Sequence, residues 1–276
     1  MSFELSEEDK NFIPLTYLRS RDELRCGATT LAKHPARKIE YLWELIKYLK
    51  EDLEEDLKGR GARVEGKVHP SAVIYSPEKV IIEEGAEVEA CAVLDARSGP
   101  IYIGKKTIVR PQSYLRGPLS IGPECRIGGE VTHSIFHGYC NKAHYGFIGH
   151  SYIGEWVNLG AGTTNSNLKN NYGTVKVTVN GKEMDTGEQF IGCFVGDHAK
   201  TGIGTLITTG AVIGVGANIF GGGVAPKVIP SFSWGEKERV DIKKFLKTIE
   251  IAMKRRSREL SSEEQKKIED LYKHAI

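Results

Sequence analysis

The sequence predicts an all-β core that winds as a parallel β-helix of six-residue repeats, with α-helices flanking it at both ends. Three observations carry this. Aliphatic residues recur at every sixth position: Ile82, Val88 and Leu94, then Ile103, Val109, Leu115, Ile121 and Ile127, then Ile207, Ile213 and Ile219. Many of the aliphatic residues in this region precede glycine, as in Ile103-Gly104, Ile121-Gly122, Ile127-Gly128, Ile148-Gly149, Ile153-Gly154, Leu159-Gly160 and Ile213-Gly214. The chain also holds 31 glycines, about 11% of its residues against a usual ~7%, and none lies in a low-complexity tract.

A step of six matches neither the 3.6-residue turn of a helix nor the two-residue period of an ordinary strand. It fits a coil in which each unit forms one flat side and its corner, so that three units close a triangular turn. The aliphatic side chain points inward and stacks on its equivalent in the next coil. The glycine beside it permits a corner conformation that a side chain would obstruct.

The remaining elements follow in chain order. Residues 1–38 are irregular and contain the phrase PLTYLRSRDELRCGATTL. A helix is predicted over 39–58, because Ile39, Leu42, Ile46, Leu49, Leu53 and Leu57 fall at steps of three and four, and Gly59-Arg60-Gly61 ends it. The β-helix is assigned to 67–229, after a 39–66 linker, and a helical tail to 230–276. Two stretches interrupt the repeat and are expected to leave the coil. His133 to Phe147 loses the aliphatic step and gathers histidines. Thr163 to Phe190 is polar and then reads TVKVTVNGKEMDTG, a hairpin turning at Asn180-Gly181. Insertions in a solenoid form outer loops that often carry the site. After Val224-Ala225-Pro226 the coils should stop. Ile242, Phe245, Leu246, Ile249 and Met253 define an amphipathic helix, and Ser261-Ser262-Glu263-Glu264 is a capping box that opens a last one.

Composition excludes several classes. Net charge is +2, so no global field draws the chain to nucleic acid. The basic run Lys254-Arg255-Arg256 with Arg258 reads as a solvated helix face before it reads as an anion site. No 18-residue apolar run is present and the acidic N-terminus lacks the form of a secretory signal, so a cytoplasmic protein is expected. Cys26, Cys91, Cys125, Cys140 and Cys193 are scattered, odd in number and form no CxxC pair. They fit buried free thiols better than disulfides or a zinc cluster.

The segment KAHYGFIGHSYIGEWVNLGAGTTNSN is more specific. With GAGTTNSNLKNNYG, DTGEQF, VGDHAKTGIGTLITTGAVIGVGANIFGGG and IPSFSWG, it resembles the acetyltransferase domain of the bacterial bifunctional enzyme that makes UDP-N-acetylglucosamine, in a variant branch. That enzyme lies within the hexapeptide-repeat acyltransferase superfamily. The resemblance covers about Val68 to Gly235 and implies a left-handed coil. It also implies a homotrimer and transfer of an acetyl group from acetyl-CoA to the amine of an amino-sugar phosphate, most simply glucosamine 1-phosphate. Residues 1–38 resemble the opening of that branch's nucleotidyltransferase domain. No GxGTR-like triphosphate loop occurs, so uridylyl transfer is not expected of this chain and falls to a separate nucleotidyltransferase.

The implied chemistry needs a base with a pKa near 7 to deprotonate the amine, and histidine suits it. The resemblance places that base on His144. It matches Arg110, in VRPQ, to a phosphate-binding arginine, with Arg116 as the fallback. Asn158 and Asn167 match positions that contact the amino sugar. Two family tyrosines are replaced, by Phe147 and Leu168, so Tyr145 or Tyr172 is expected to supply a hydroxyl instead. A second family phosphate cation, a lysine, falls near Thr132 or His133. Ala161 and Gly162 match the turn beside the thioester arm, where backbone N–H groups hold the developing oxyanion. Lys200 and Lys227 are candidates for the cofactor's phosphates, and Ile203 replaces the serine on that wall. No metal is expected for acetyl transfer.

Two other classes fit part of the pattern. A trimeric binding or scaffold protein could keep this fold without the chemistry. β-Helical zinc carbonic anhydrases hold zinc with three histidines, and His133, His137, His144, His150 and His198 supply enough of them, though not at that spacing.

Overall fold

The computed structural model describes residues 5–236 and 238–274. Its centre is the left-handed parallel β-helix. Each coil contributes a strand to three flat faces in turn. The first face runs from Arg63–Val64 through Val80–Ile82 and Ile101–Ile103 to Val228–Ile229. The second runs from Lys67–Val68 through Glu87–Val88 and Ile108–Val109 to Ser233–Trp234. The third includes Val73–Tyr75, Val93–Asp95, Phe147–Gly149, Thr164–Asn165, Thr205–Ile207 and Gly223–Val224. Tyr114–Ile121 and Glu130–Phe136 each run without a break from the third face round to the next first face, with a register shift between Arg116 and Leu119.

The six-residue step sets the inward position on each face in turn, and residues one coil apart stack into columns. Ile82, Ile103, Ile121, Phe136, Ile153, Val195, Ile213 and Ile229 pair in register up the first face. All of them belong to one buried core with Val88, Val109 and Ile127 of the second face and Leu94, Leu115 and Val131 of the third. This stacking lets a chain with so few long elements bury a continuous apolar interior.

The structure corrects the reading of His133 to Phe147. This stretch does not leave the prism. Ile108 pairs with Arg126, eighteen residues on, whereas Arg126 pairs with Asn141, fifteen residues on. This coil is three residues shorter than the one before it and two shorter than the one after, where Asn141 pairs with Asn158, and the aliphatic step slips with it to Val131 and Phe136. Its second-face inward position then falls on Lys142, which pairs with Ile127. The later interruption is a real excursion, but a shorter one than expected. Thr164–Asn165 still forms a third-face strand, with Asn165 pointing inward opposite Ile207. The hairpin Lys176–Val179 and Lys182–Asp185 follows, with Asn180 and Gly181 both at positive φ. The coils also continue past Pro226, through Val228–Ile229 and Ser233–Trp234.

The helices are α1 (Glu7–Lys10), α2 (Glu44–Lys47), α3 (Leu49–Arg60), α4 (Ile242–Lys254) and α5 (Ser262–His274). The predicted 39–58 helix is thus two helices meeting at Tyr48, and Ile39 to Trp43 lie outside both. Phe12, Leu15, Leu24, Leu42, Leu45, Ile46 and Leu49 pack on Ile81, Tyr102, Ile135 and Tyr152, the outward residues of the first face. The hairpin's Val175, Val177 and Val179 join the same cluster beside Phe194 and Val212. Arg19 locks this cover down, donating to Glu155 Oε2 at 3.0 Å and Asp197 Oδ1 at 2.8 Å. Helix α4 opens on the Asp241 cap, and Ser261 caps α5 through Glu264 as expected. Both helices pack on Val215 and Phe232. The third face keeps exposed apolar residues, among them Val73, Tyr75, Tyr114, Leu206 and Val224. Four cysteines are buried, but Cys91 is exposed, against the expectation for all five. Among the described residues, no helix is long and apolar enough to cross a membrane.

Candidate active site

Three prism edges separate the faces, and each predicted residue can be assigned to one. The edge between the second and third faces is built by successive corners that follow Val109, Ile127, Lys142, Leu159 and Thr201. Arg110 N–H donates to Ile127 O, Gly128 N–H to Lys142 O, Gly162 N–H to Tyr145 O, and Gly204 N–H to Ala161 O. This ladder brings Arg110, His144, Tyr145, Ala161, Gly162 and Ile203 onto one edge. Asn158 and Lys200, paired in register on the second face, project beside it.

His144 is exposed, and its ring makes no hydrogen bond to the described residues. Tyr145 is 71% exposed and lies against Gly162, whose φ is +75°. A β-carbon at Gly162 would sit 3.1 Å from the Tyr145 hydroxyl, so a small residue is needed there. Gly162 N–H is committed to Tyr145 O, which corrects the expectation that both N–H groups of this turn face a ligand. Ala161 N–H has no partner among the described residues. Arg110 Nη1 meets Glu89 Oε2 at 2.9 Å.

Sequence reasoning missed the residue beneath His144. Lys142 is 2% exposed and points into the prism. Its ammonium donates to Gly128 O at 2.8 Å and to His144 O at 2.7 Å, and burial pulls its pKa down to about 8. A charged residue in a column of aliphatic ones could have been flagged only by placing the shortened coil correctly.

The second face beside this edge is polar. Asn141 Nδ2 donates to Asn158 Oδ1 at 2.7 Å, and Lys200 Nζ donates to His198 O at 3.1 Å. Burial lowers the Lys200 pKa. Helix α4 roofs the row. A cavity of about 270 Å³ is lined by Asn141, Asn158, Lys200, Thr248, Arg255 and Arg256. A larger one of about 590 Å³ continues along Lys200, Asn218, Trp234, Lys244 and Phe245. Arg255 and Arg256, first read as a solvated helix face, thus look into this groove.

The other candidates stand elsewhere within one chain. Asn167 is on the edge between the third and first faces, where its Nδ2 lies 2.8 Å from His150 Nδ1. His150 stacks on His133 and Phe190 there. Burial first, then His133 and Arg116, push His150 down to about 3. Arg116 holds Ser98 Oγ on the same side. Tyr172 is exposed in the insertion, and Lys227 pairs with Glu183 of the hairpin at 3.8 Å. The five histidines of the zinc alternative are spread over all three edges. His137 and His198 lie between the first and second faces, His144 between the second and third, and His133 and His150 between the third and first. None belongs to the one group of metal-ligand side chains found among the described residues.

With the fold, its repeat and this edge defined, the similarity to known proteins falls into place. The bifunctional sugar-1-phosphate nucleotidylyltransferase/acetyltransferase of Sulfurisphaera tokodaii is 40% identical over 148 residues, which is 53% of this chain and 36% of that protein. The chain is a left-handed β-helix of hexapeptide repeats. The bifunctional protein GlmU of Methanocaldococcus jannaschii is 32% identical to this hexapeptide-repeat chain over 178 residues, 62% of this chain and 40% of that protein. This hexapeptide-repeat protein therefore spans well under half the length of these relatives. A solved N-acyltransferase of Bacillus cereus, a point mutant of AntD in complex with dTDP and coenzyme A, covers 71% of this chain and 97% of that one at 15% identity and a TM-score of 0.29. An overlap that slight carries no argument. No family model matches the chain.

Proposed function

We propose that this chain is an acetyl-CoA-dependent N-acetyltransferase acting on an amino-sugar phosphate, with glucosamine 1-phosphate the first candidate. One observation supports it above the others. A single prism edge carries an unengaged histidine, an arginine, a small-residue turn with an unpaired N–H, and an asparagine row leading into a basic groove.

In this reading His144 takes the proton as the substrate amine attacks, and later returns it to the departing thiolate. Acetyl-CoA supplies the acyl group as an activated thioester. Ala161 N–H is the donor left for the oxyanion, and removing such a donor costs about 10²–10³ in rate elsewhere. Arg110, held by Glu89, offers a guanidinium to the sugar phosphate. Asn158 orients the sugar hydroxyls. Lys200, Arg255 and Arg256 offer cations to the phosphates of coenzyme A.

In one chain this edge is open on the third-face side, next to the bare apolar surface. We take copies of the chain to pack there as a homotrimer. Asn167 and Tyr172, remote from their own His144, then serve a neighbour's. Lys227 serves the far end of the cofactor. The product is a substrate for nucleotidyl transfer, and residues 1–38, over their described part, cover the first face.

The engagement of Arg110 with Glu89 favours a second reading, a binding or scaffold protein that has kept the fold and lost the chemistry. Thiol release from acetyl-CoA with a panel of amino sugars separates the two. Turnover with an amino-sugar phosphate that falls in His144→Ala supports the enzyme. No turnover with any amine, together with no acetyl-CoA binding by calorimetry, removes it.

A further inference from the structure

A second polar cluster lies away from this edge, in the cover of the first face. Asp52 and Glu55 are three apart on α3 and so share one side of that helix. His34 follows the short 3₁₀ turn Leu31–Lys33 and faces them. His34 is 4% exposed and Asp52 is fully buried. Yet His34 Nδ1 and Asp52 Oδ2 are both buried atoms with no hydrogen-bond partner. Nδ1 stands 3.6 Å from Glu55 Oε2, and the three candidate ligand atoms lie within 4.8 Å of one another.

Native structures leave few buried polar atoms unpaired, and each one calls for an explanation. A proton on His34 explains only part of this. A second N–H would face Glu55, but Asp52 Oδ2 would still have no donor. The other Asp52 oxygen is already taken, accepting from Arg37 Nε at 2.8 Å. Asp52, Glu55 and Asp56 bring three carboxylates to this side of α3, and of these Arg37 is ion-paired with Asp52. A divalent cation satisfies both orphaned atoms at once and balances the charge.

The surroundings also fit. His34 Nε2 lies 3.0 Å from Thr29 Oγ1 and 3.4 Å from Asp56 Oδ2. Asp56 Oδ2 in turn accepts from Ala28 N–H at 2.6 Å. Metal-bound histidines commonly turn their second nitrogen to a carboxylate in this way, which fixes the tautomer and leaves the other lone pair for the ion. The 3.6 Å between Nδ1 and Oε2 is close to the ~3.4 Å edge of a tetrahedron with bonds of about 2.1 Å. One nitrogen and two carboxylates suit zinc or a similar transition ion better than the all-oxygen shells of calcium or magnesium. The Glu55 side chain is 67% exposed, so an ion reaches the site from solvent.

We propose that His34, Asp52 and Glu55 form a structural site for a divalent transition-metal ion, with zinc the probe, which staples the 25–37 segment to α3. Water completes the coordination, and no bond is made or broken. The site stands apart from the acyl-transfer reading, and either can fail without the other.

The test uses the full chain, stripped with a chelator and titrated with Zn²⁺ against a chromophoric competitor. The wild type should take up one tight equivalent. Glu55→Gln, which alters an exposed side chain and keeps the fold, should weaken that equivalent at least ~10-fold. Its metal-free thermal midpoint should match that of the metal-free wild type. With zinc about 100-fold above the wild-type Kd, the wild-type midpoint should rise by roughly 5–8 °C, and that of Glu55→Gln by no more than about half as much. No tight equivalent in the wild type, or equal uptake by wild type and variant, overturns the proposal and leaves the cluster as ion pairs.

Discussion

Replacing Lys142 with methionine tests how the repeat and the site are joined. Lys142 occupies an inward position that its neighbours fill with aliphatic side chains, and its ammonium holds the carbonyl of His144. Burial lowers its pKa from 10.5 to about 8. The sign follows from proton binding. Between these two values the unfolded chain binds the proton and the folded chain does not, so stability rises with pH across that window. Below pH 8 the buried ammonium costs the fold about 3 kcal/mol, from ~2.5 pKa units at 1.36 kcal/mol each. Between pH 7 and pH 9.5 about 2 kcal/mol of that is recovered. Lys142→Met keeps the volume and removes the titration, but strands the carbonyls of Gly128 and His144. Each stranded group costs roughly 1–3 kcal/mol, so the variant should lie within about 3 kcal/mol of wild type at pH 7. The measurement is urea unfolding of both proteins at pH 7 and pH 9.5. Wild type should gain about 2 kcal/mol more than the variant over that interval, and acetyl transfer should fall in the variant as the His144 corner loses its anchor. Parallel stability curves would refute the buried-ammonium argument.

Three further outcomes are expected. His144→Ala should lower kcat by about 10²–10⁴-fold in the thiol-release assay with an unchanged melting point, because an exposed ring bears little on stability. Arg19→Ala strips the charge that Asp197 and Glu155 share at 10% side-chain exposure. It should cost about 3–5 kcal/mol by urea unfolding and loosen the first-face cover, seen as faster amide exchange at Arg25 and Cys26. Leu206→Glu, on the bare third face, should disrupt the proposed trimer, giving a monomer by light scattering, and abolish turnover while leaving the circular dichroism unchanged. An active monomer would show that each site is complete within one chain.

The fold was legible because its signal is local and repeated. A six-residue step needs only the inward side chain and its corner, and every coil restates it, so the inward positions from Ile82 to Leu94 and from Ile103 to Ile127 could be read directly. The caps of α4 and α5 and the Asn180-Gly181 turn were legible for the same reason, since each depends on neighbours a few residues away. The candidate site was legible in part. His144, Arg110, Tyr145, Ala161 and Gly162 came from a motif, and the ladder of corners brings them to one edge.

What the sequence determined by itself was the prism, its inward columns and its flanking helices, because those follow from periodicity and short-range capping. The tertiary structure alone decided the rest. It showed that His133 to Phe147 stays in the coil, since a three-residue shortening reads as a break until the strand pairing shows the register resuming. It put Lys142 in the core under His144, and Asn167 and Tyr172 on another side of the molecule. It also gathered His34, Asp52 and Glu55, which only the packing of an irregular segment on α3 brings together. Each of these depends on which coil lies against which, a contact between residues far apart in the chain that no local pattern encodes.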